Sequence, residues 1–314
     1  QCGHRGSGLS IPAGTVRAIK ADLALHGITA AGSIIPAMPA RASIRNGVTR
    51  PLCYNNPADM QSLEQQVRFH ARHFDTLILD DWLFTICTCP ACVAARGRQS
   101  WASYRRTLLV RQARRHVIAP AREVNPRVQL VIKYPNWLEG FHHNGYDIGR
   151  HLRQFDAFCT GIETRSHVHE VQHFPLYHSY FLQRLLCGVS PAKGGRCWLD
   201  NLQMDDDRRI YAAQAYQGVL GGGRELILWC AGSHLRTDWA AAYYPLFTRA
   251  MPQLAALAAR LTGRPLGVET YLPEGADGEY NIFGYLGMIG IPLQPVMSFP
   301  RAPGTCVLTR HAAH

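Results

Sequence analysis

The sequence lacks several features that would assign it to a broad class at once. It has no run of eighteen apolar residues, so no segment is predicted to span a membrane. Residues 1–10 lack the basic and apolar regions of a signal peptide, and no initiating Met is present, so we expect a processed or excised chain. No Gly-rich phosphate-binding loop or Gly-x-Gly-x-x-Gly fingerprint occurs, which argues against a nucleotide enzyme.

Lysine is scarce, although the formal net charge is +11. The basic residues are almost all Arg, spread along the chain, with Lys only at Lys20, Lys133 and Lys193. The densest basic stretch, residues 96–115, alternates with apolar residues at helical spacing, which is typical of a solvated helix face. We therefore predict no nucleic-acid and no membrane partner.

Helical and short apolar segments alternate along most of the 314 residues, a pattern that predicts a parallel sheet with helices outside it. The length suits an α/β fold, a single (β/α)8 TIM barrel with a small additional piece. If the strand at Glu225 is the eighth, the preceding strands are predicted near Arg196, Phe155, Val128, Thr76, Arg50 and Ile28. Strand one is then missing or only partly present, with residues 1–12 as its end.

The pattern changes after Gly263. Residues 266–272 and 293–299 are predicted strands around a helix within 278–290, and Cys306 begins a third strand. So small a parallel sheet cannot bury both faces alone. We therefore predict a barrel domain over residues 1–262 and the start of a truncated α/β domain over residues 263–314.

Three of the ten cysteines, Cys87, Cys89 and Cys92, form a C-x-C-x-x-C motif just after the predicted strand four. Cys53 lies at the end of the predicted strand three, and adjacent strand ends would bring the four thiols together. Four thiolates suit tetrahedral zinc with no open position, hence a structural metal. Disulfides or unrelated buried cysteines are the alternatives, although C-x-C is a poor spacing for a mutual bridge.

These cysteines, with acids at the end of strand four, resemble the pattern of glycoside hydrolase family 42, the β-galactosidase family. In that family a Cys after strand three and a C-x-C-x-x-C after strand four bind structural zinc. The resemblance implies a glycosidase barrel. It also implies that residues 263–314 begin a domain similar to class I glutamine amidotransferases, with a flavodoxin-like α/β fold.

The acids depart from that family. The family has Glu, preceded by Asn, as acid/base at strand four and Glu as nucleophile at strand seven, where this chain has Asp80-Asp81 and Asp200. The resemblance thus implies a divergent relative, with Asp81 as acid/base and Asp200 as nucleophile. Other barrel glycosidases suggest a second assignment, with an Asp nucleophile at strand four and Glu163 at strand six as proton donor. An ion pair between Glu163 and Arg165 is the structural alternative.

Active sites of such barrels lie at the carboxyl ends of the strands. Aromatic rings there could stack on sugars while polar groups bind hydroxyls. The predicted substrate contacts are Asp80, Lys133, Tyr134, Trp137, Arg165, Trp198 and His234.

The leading hypothesis is an O-glycoside hydrolase with a carbohydrate substrate and a two-carboxylate mechanism. The alternative is a noncatalytic carbohydrate-binding or structural barrel, and a third hypothesis makes the cysteine cluster part of a nucleic-acid module. Association into a homo-oligomer is left open. A thiolate zinc site favours the cytoplasm, but the compartment itself is not assigned.

Overall fold

A computed structural model describes residues 2–4, 12–34, 44–45, 48–49, 52–80, 83–164, 174–199, 208–228, 237–262, 266–273, 281–299 and 306–307. The chain divides into two compact units. Unit 1 comprises residues 1–133 and 141–157, and unit 2 comprises residues 134–140 and 158–314.

Unit 1 alternates strands and helices. Its strands are β1 (Cys2–His4), β2 (Gly32–Ile34), β3 (Ile44–Arg45), β4 (Val48–Thr49), β5 (Thr76–Leu79) and β6 (Gln129–Tyr134), which ends on the first residue of unit 2. Its helices are α1 (Ala13–Leu25), α2 (Pro57–His73), α3 (Pro90–Arg96), α4 (Trp101–Ala113), α5 (Ala119–Val124), α6 (Phe141–Asn144) and α7 (Ile148–Gln154). Strands β1, β2, β5 and β6 are parallel neighbours in that order, and β3 and β4 form an antiparallel pair.

The strand predicted near Arg50 is wrong for the residues that the structure describes there. Residues 52–55 form an irregular segment and a turn, and β2 pairs directly with β5. Leu52, Cys53 and Tyr54 are buried all the same, and burial produces the same apolar pattern as a strand. Counting back from β9 as the eighth strand leaves β5 as the fourth and makes β2 the third and β1 the second. The strand predicted near Ile28 is therefore the third and not the second.

Helices α2, α4 and α7 of unit 1 begin at residues whose side chains cap them. The Asn56 side chain accepts a hydrogen bond from the Ala58 amide at 2.9 Å, and Pro57 occupies the first turn of α2. Ser100 and Asp147 cap α4 and α7 in the same way. The helical spacing within residues 96–115 corresponds to α3 and α4, and α4 continues through a π-helical turn, Arg114–Ile118, into α5.

Unit 2 continues the alternation. Its strands are β7 (Ala157–Gly161, whose first residue belongs to unit 1), β8 (Gly195–Leu199), β9 (Gly223–Leu228), β10 (Val268–Tyr271), β11 (Leu293–Val296) and β12 (Cys306–Val307). Its helices are α8 (Tyr177–Val189), α9 (Arg208–Leu220), α10 (Thr237–Arg260) and α11 (Asn281–Met288). Strands β7, β8 and β9 are parallel, and side chains of β8, α9 and α10 share a core in which the Tyr211 ring meets Tyr243 and Phe247 edge-on.

Strands β10, β11 and β12 form a separate three-stranded parallel sheet in the order β11-β10-β12. These strands and α11 lie where the change of pattern after Gly263 predicts them. The division into a barrel domain and a second domain at this point stays a prediction. None of the helices in the described part of the chain is long and apolar enough to cross a membrane.

Candidate functional site

The four predicted metal ligands lie together in unit 1. The Sγ atoms of Cys53, Cys87, Cys89 and Cys92 all lie within 4.8 Å of one another. The Cys53 Sγ lies 3.7 Å from that of Cys89 and 3.6 Å from that of Cys92, and all four are free thiols. The disulfide alternative is therefore wrong for this cluster.

These separations fit a tetrahedral metal. With Zn–S bonds of about 2.3 Å, the edges of a tetrahedral site are about 3.8 Å long. The 3.6 and 3.7 Å separations are close to this edge. The donor set therefore fits zinc in shape and in chemistry.

Local structure explains how the motif converges. Cys89 is the extended residue that caps α3, and Pro90 occupies the first turn, so Cys92 lies one turn inside the helix and beside Cys89. The Cys92 amide donates to the Cys89 sulfur and is the main cause that lowers the pKa of Cys89 to about 7. Burial raises the pKa values of the Cys53 and Cys87 thiols, and a bound cation would oppose this by favouring the thiolates.

Polar groups surround the thiols. The Asn55 Nδ2 atom lies 3.1 Å from the Cys92 Sγ and 2.5 Å from the Tyr104 hydroxyl. Arg105 is buried over the Trp101 ring, and this burial lowers its pKa, while negative charge on Cys87 and Cys92 opposes the effect. Such groups orient thiolates and balance their charge, as expected of a metal centre. Sequence analysis did not single out Asn55 or Arg105.

The residues predicted at the strand ends belong to both units. In unit 1, Asp80 follows β5 and Lys133 lies in β6, with the Asp80 Oδ1 atom 3.2 Å from the Lys133 Nζ atom. The Lys133 side chain is 3% exposed and that of Asp80 is 15% exposed. A lysine so buried requires a counter-charge, and Asp80 supplies one.

In unit 2, Glu163 follows β7 and is 2% exposed. The Asn136 side-chain amide donates to the Glu163 carbonyl at 2.8 Å, and the Ser179 hydroxyl donates to the Ile162 carbonyl at 2.9 Å. The His178 Nε2 atom donates to the Asn136 carbonyl at 2.6 Å. Burial lowers the pKa of His178 to about 4, so its ring is neutral and carries its proton on Nε2.

Sequence analysis missed Asn136, His178 and Ser179. Asn136 comes two residues after the end of β6, a strand-end position that could have drawn attention to it. His178 and Ser179 begin α8, where no local pattern indicates a contact with Asn136 or Ile162.

The three described aromatic candidates differ in accessibility. Tyr134 and Trp198 are buried, whereas Trp137 is half-buried. Among these three, Trp137 is the ring most accessible to a ligand. The remaining predicted site residues lie outside the described residues: Asp81, Arg165, Asp200 and His234.

The family model for the catalytic domain of probable glycosyl hydrolases matches residues 3–244. The chain belongs to this family.

Other similarities are more distant. An uncharacterized protein of Saccharolobus solfataricus is 22% identical over 209 residues, which cover 58% of this chain and 34% of that protein. The cold-adapted β-galactosidase from Rahnella sp. R3 is similar with a TM-score of 0.62 and 12% identity, over 90% of this chain and 57% of that one. The chain thus matches about a third of the first relative's length and little more than half of the second's.

Two solved structures of the GH5_18 group are also similar. The enzyme from Bifidobacterium longum subsp. infantis has a TM-score of 0.52 and 10% identity, over 93% of this chain and 80% of that one. A variant from Streptomyces cattleya, in complex with Manβ1-4GlcNAc, has a TM-score of 0.54 and 12% identity, over 98% and 83%. The α/β fold of this glycosyl hydrolase family member is thus of the TIM-barrel class, as the sequence predicts.

Proposed function

We propose that the chain is the catalytic barrel of an O-glycoside hydrolase that uses two carboxylates. The observation that carries this proposal is Glu163, a buried acid at the carboxyl end of a barrel strand in a member of the glycosyl hydrolase family. Barrel enzymes place their chemistry at that end of the strands, and glycoside hydrolysis requires a proton donor and a second carboxylate.

The acids have two assignments. In the first, Asp81 is the acid/base and Asp200 the nucleophile. In the second, Glu163 donates the proton and Asp81 is the partner carboxylate. We favour the second, because Glu163 is buried and the backbone on both sides of it is held by side-chain hydrogen bonds. A proton donor must be held precisely against the leaving oxygen.

The remaining candidates have supporting roles in this proposal. Lys133 and Asp80 form a polar pair in unit 1, and Trp137 in unit 2 is assigned a ring face for the sugar. Tyr134 and Trp198 shape the wall from within the core. Arg165 and His234 are assigned to substrate binding on their sequence positions alone.

We further propose that Cys53, Cys87, Cys89 and Cys92 hold one structural zinc ion. The short separations among their sulfur atoms and the lack of any disulfide among them support this. When bound, the metal would fix residues 83–92, which follow the strand that carries Asp80. The chemistry of reduced thiol ligands favours a cytoplasmic location.

The relation to glycoside hydrolase family 42 is part of the same proposal. It is supported by the position of the cysteine cluster after β5 and by the barrel similarity to the Rahnella enzyme. On this view, the sheet of β10, β11 and β12 belongs to an amidotransferase-like second domain.

A leaving-group comparison tests the proposed function. The parent protein is first screened against 4-nitrophenyl α- and β-glycosides, including β-galactoside and β-mannoside. The sugar accepted is then offered as its phenyl and 2,4-dinitrophenyl glycosides to the parent and to the Asp81→Asn, Asp200→Asn and Glu163→Gln variants.

Loss of the proton donor slows the departure of phenoxide, which needs protonation. It hardly slows the departure of dinitrophenoxide, which leaves without a proton. Glu163→Gln should therefore lose about 10²–10⁴-fold in kcat/KM on the phenyl glycoside and keep most of kcat/KM on the dinitrophenyl one. This ratio reports the step in which the leaving group departs, so it does not include a later role of Glu163 as a base toward water. A missing nucleophile should abolish both. If the parent binds sugars but hydrolyses none of the glycosides, the noncatalytic alternative replaces this proposal.

A further inference from the structure

The Glu163 carboxylate occupies space that exists because residue 161 is glycine. A Cβ atom built on Gly161 would lie 2.7 Å from the Glu163 Oε2 atom and 3.0 Å from the Tyr134 carbonyl oxygen. An alanine at this position would therefore force the carboxylate to move. The carboxylate lies against the backbone of its own strand, where only glycine leaves enough room.

The backbone that carries Glu163 is fixed from two other segments of unit 2. The Asn136 amide holds the Glu163 carbonyl, and His178 holds the Asn136 carbonyl in turn. Ser179, next to His178 in α8, holds the Ile162 carbonyl. All of these residues are almost fully buried.

This arrangement is more specific than burial of a polar strand end requires. Two successive peptide carbonyls, those of Ile162 and Glu163, each receive a donor from a different side chain. With its backbone fixed, Glu163 can lose its position only by rotation of its own side chain, and the space above Gly161 accommodates one such rotamer. Groups that react in an enzyme need this degree of fixation.

We propose that Gly161, Asn136 and His178 are positioning residues that hold the Glu163 carboxylate in the orientation needed to protonate the leaving oxygen. This inference rests on the proposed function. The inference adds to the proposed function the residues that orient the proton donor. Gly161 leaves space for the carboxylate, and Asn136 and His178 fix the backbone that carries it.

The test uses the full chain and three variants. Gly161→Ala displaces the carboxylate and keeps every hydrogen-bonding group. Asn136→Ala removes the donor to the Glu163 carbonyl. Gly188→Ala in α8 is the matched control, because a Cβ there meets its nearest neighbours at 3.9 Å. Turnover on the phenyl and 2,4-dinitrophenyl glycosides is compared, together with the melting temperature.

A displaced donor should reproduce the pattern of a missing one. Gly161→Ala should lower kcat/KM on the phenyl glycoside by about 10²-fold and leave kcat/KM on the dinitrophenyl glycoside nearly unaffected. Asn136→Ala should change the same ratio in the same direction, and Gly188→Ala should match the parent. Equal losses of kcat/KM on both glycosides, or a parental kcat/KM on the phenyl glycoside in Gly161→Ala, would overturn the inference.

A crystal structure of Gly161→Ala separates this inference from the proposed function. If the parent hydrolyses no glycoside, the proposed function fails, but the positioning claim can still be examined there. It predicts that the Glu163 carboxylate moves by about 1 Å or more while the Asn136 hydrogen bond persists. An unmoved carboxylate would contradict the positioning role of Gly161 whatever the activity.

Discussion

Two fully buried histidines should make the folded state acid-sensitive. His151 in unit 1 and His178 in unit 2 are each held neutral by burial, which lowers their pKa values from 6.5 to about 4. Between pH 4 and 6.5 the unfolded chain binds protons at these two sites and the folded chain does not. Stability should therefore be greatest above pH 6.5 and fall as the pH drops toward 4.

The pKa shifts give the magnitude. A shift of about 2.5 units is equivalent to about 3 kcal/mol for each histidine, or about 1.4 kcal/mol per pH unit within the window. Both rings are completely buried, so solvent screening hardly reduces this. Asp147 acts at lower pH. Hydrogen bonds from Arg150 and the charge of Arg106 outweigh its burial and lower its pKa to about 2, so its contribution is lost only below pH 3.8.

Urea unfolding between pH 4.5 and 7.5 measures this effect in the parent and in His178→Gln. Glutamine removes the titrating group and keeps a side-chain donor, so the slope of unfolding free energy against pH should fall by about 1.4 kcal/mol per unit. Both proteins carry the cysteine cluster, so acid release of a metal cancels in the difference. Identical slopes for the two proteins would refute the reasoning.

Three further predictions concern the cysteine cluster and the buried ion pairs. Elemental analysis of the purified protein should find about one zinc per chain. Cys92→Ser should lower the zinc content below about half an equivalent per chain. Cys187→Ser changes a buried thiol outside the cluster and should leave the zinc content unchanged. Asp147→Ala should cost about 3–5 kcal/mol in urea unfolding because it removes the buried carboxylate that both Arg106 and Arg150 contact. Glu123→Ala in the exposed pair with Arg68 should cost less than about 1 kcal/mol, and equal costs would contradict the burial argument. Lys133→Met should lower stability in urea unfolding because it removes the buried ammonium that pairs with Asp80, and unchanged stability would exclude a stabilising ion pair.

The sequence predicts most of the fold because helices and strands that pack against one sheet have a periodic pattern of apolar residues. Apolar runs such as residues 76–79 and 129–134 are strands, and helices lie between them as the alternation predicts. The prediction is wrong at residues 52–55, because a buried irregular segment has the same apolar composition as a strand. The π-helical turn at Arg114–Ile118 leaves no mark in the pattern.

The candidate site is predictable only in part. Cysteine spacing indicates a metal site directly, since C-x-x-C places two thiols on one helical turn. The contact between Asn136 and Glu163 joins residues 27 positions apart, and that between His178 and Asn136 joins residues 42 apart. Such polar contacts depend on the packed backbone and have no periodic signature. The roles of Asp81, Asp200, Arg165 and His234 stay predictions.

The central claim is that the strand-end carboxylates hydrolyse a glycosidic bond. Its most direct test is the release of reducing sugar by the parent and by the triple variant Asp81→Asn/Glu163→Gln/Asp200→Asn, at matched zinc content. We expect measurable turnover by the parent and none above background by the triple variant. Equal release by the two proteins would contradict the claim.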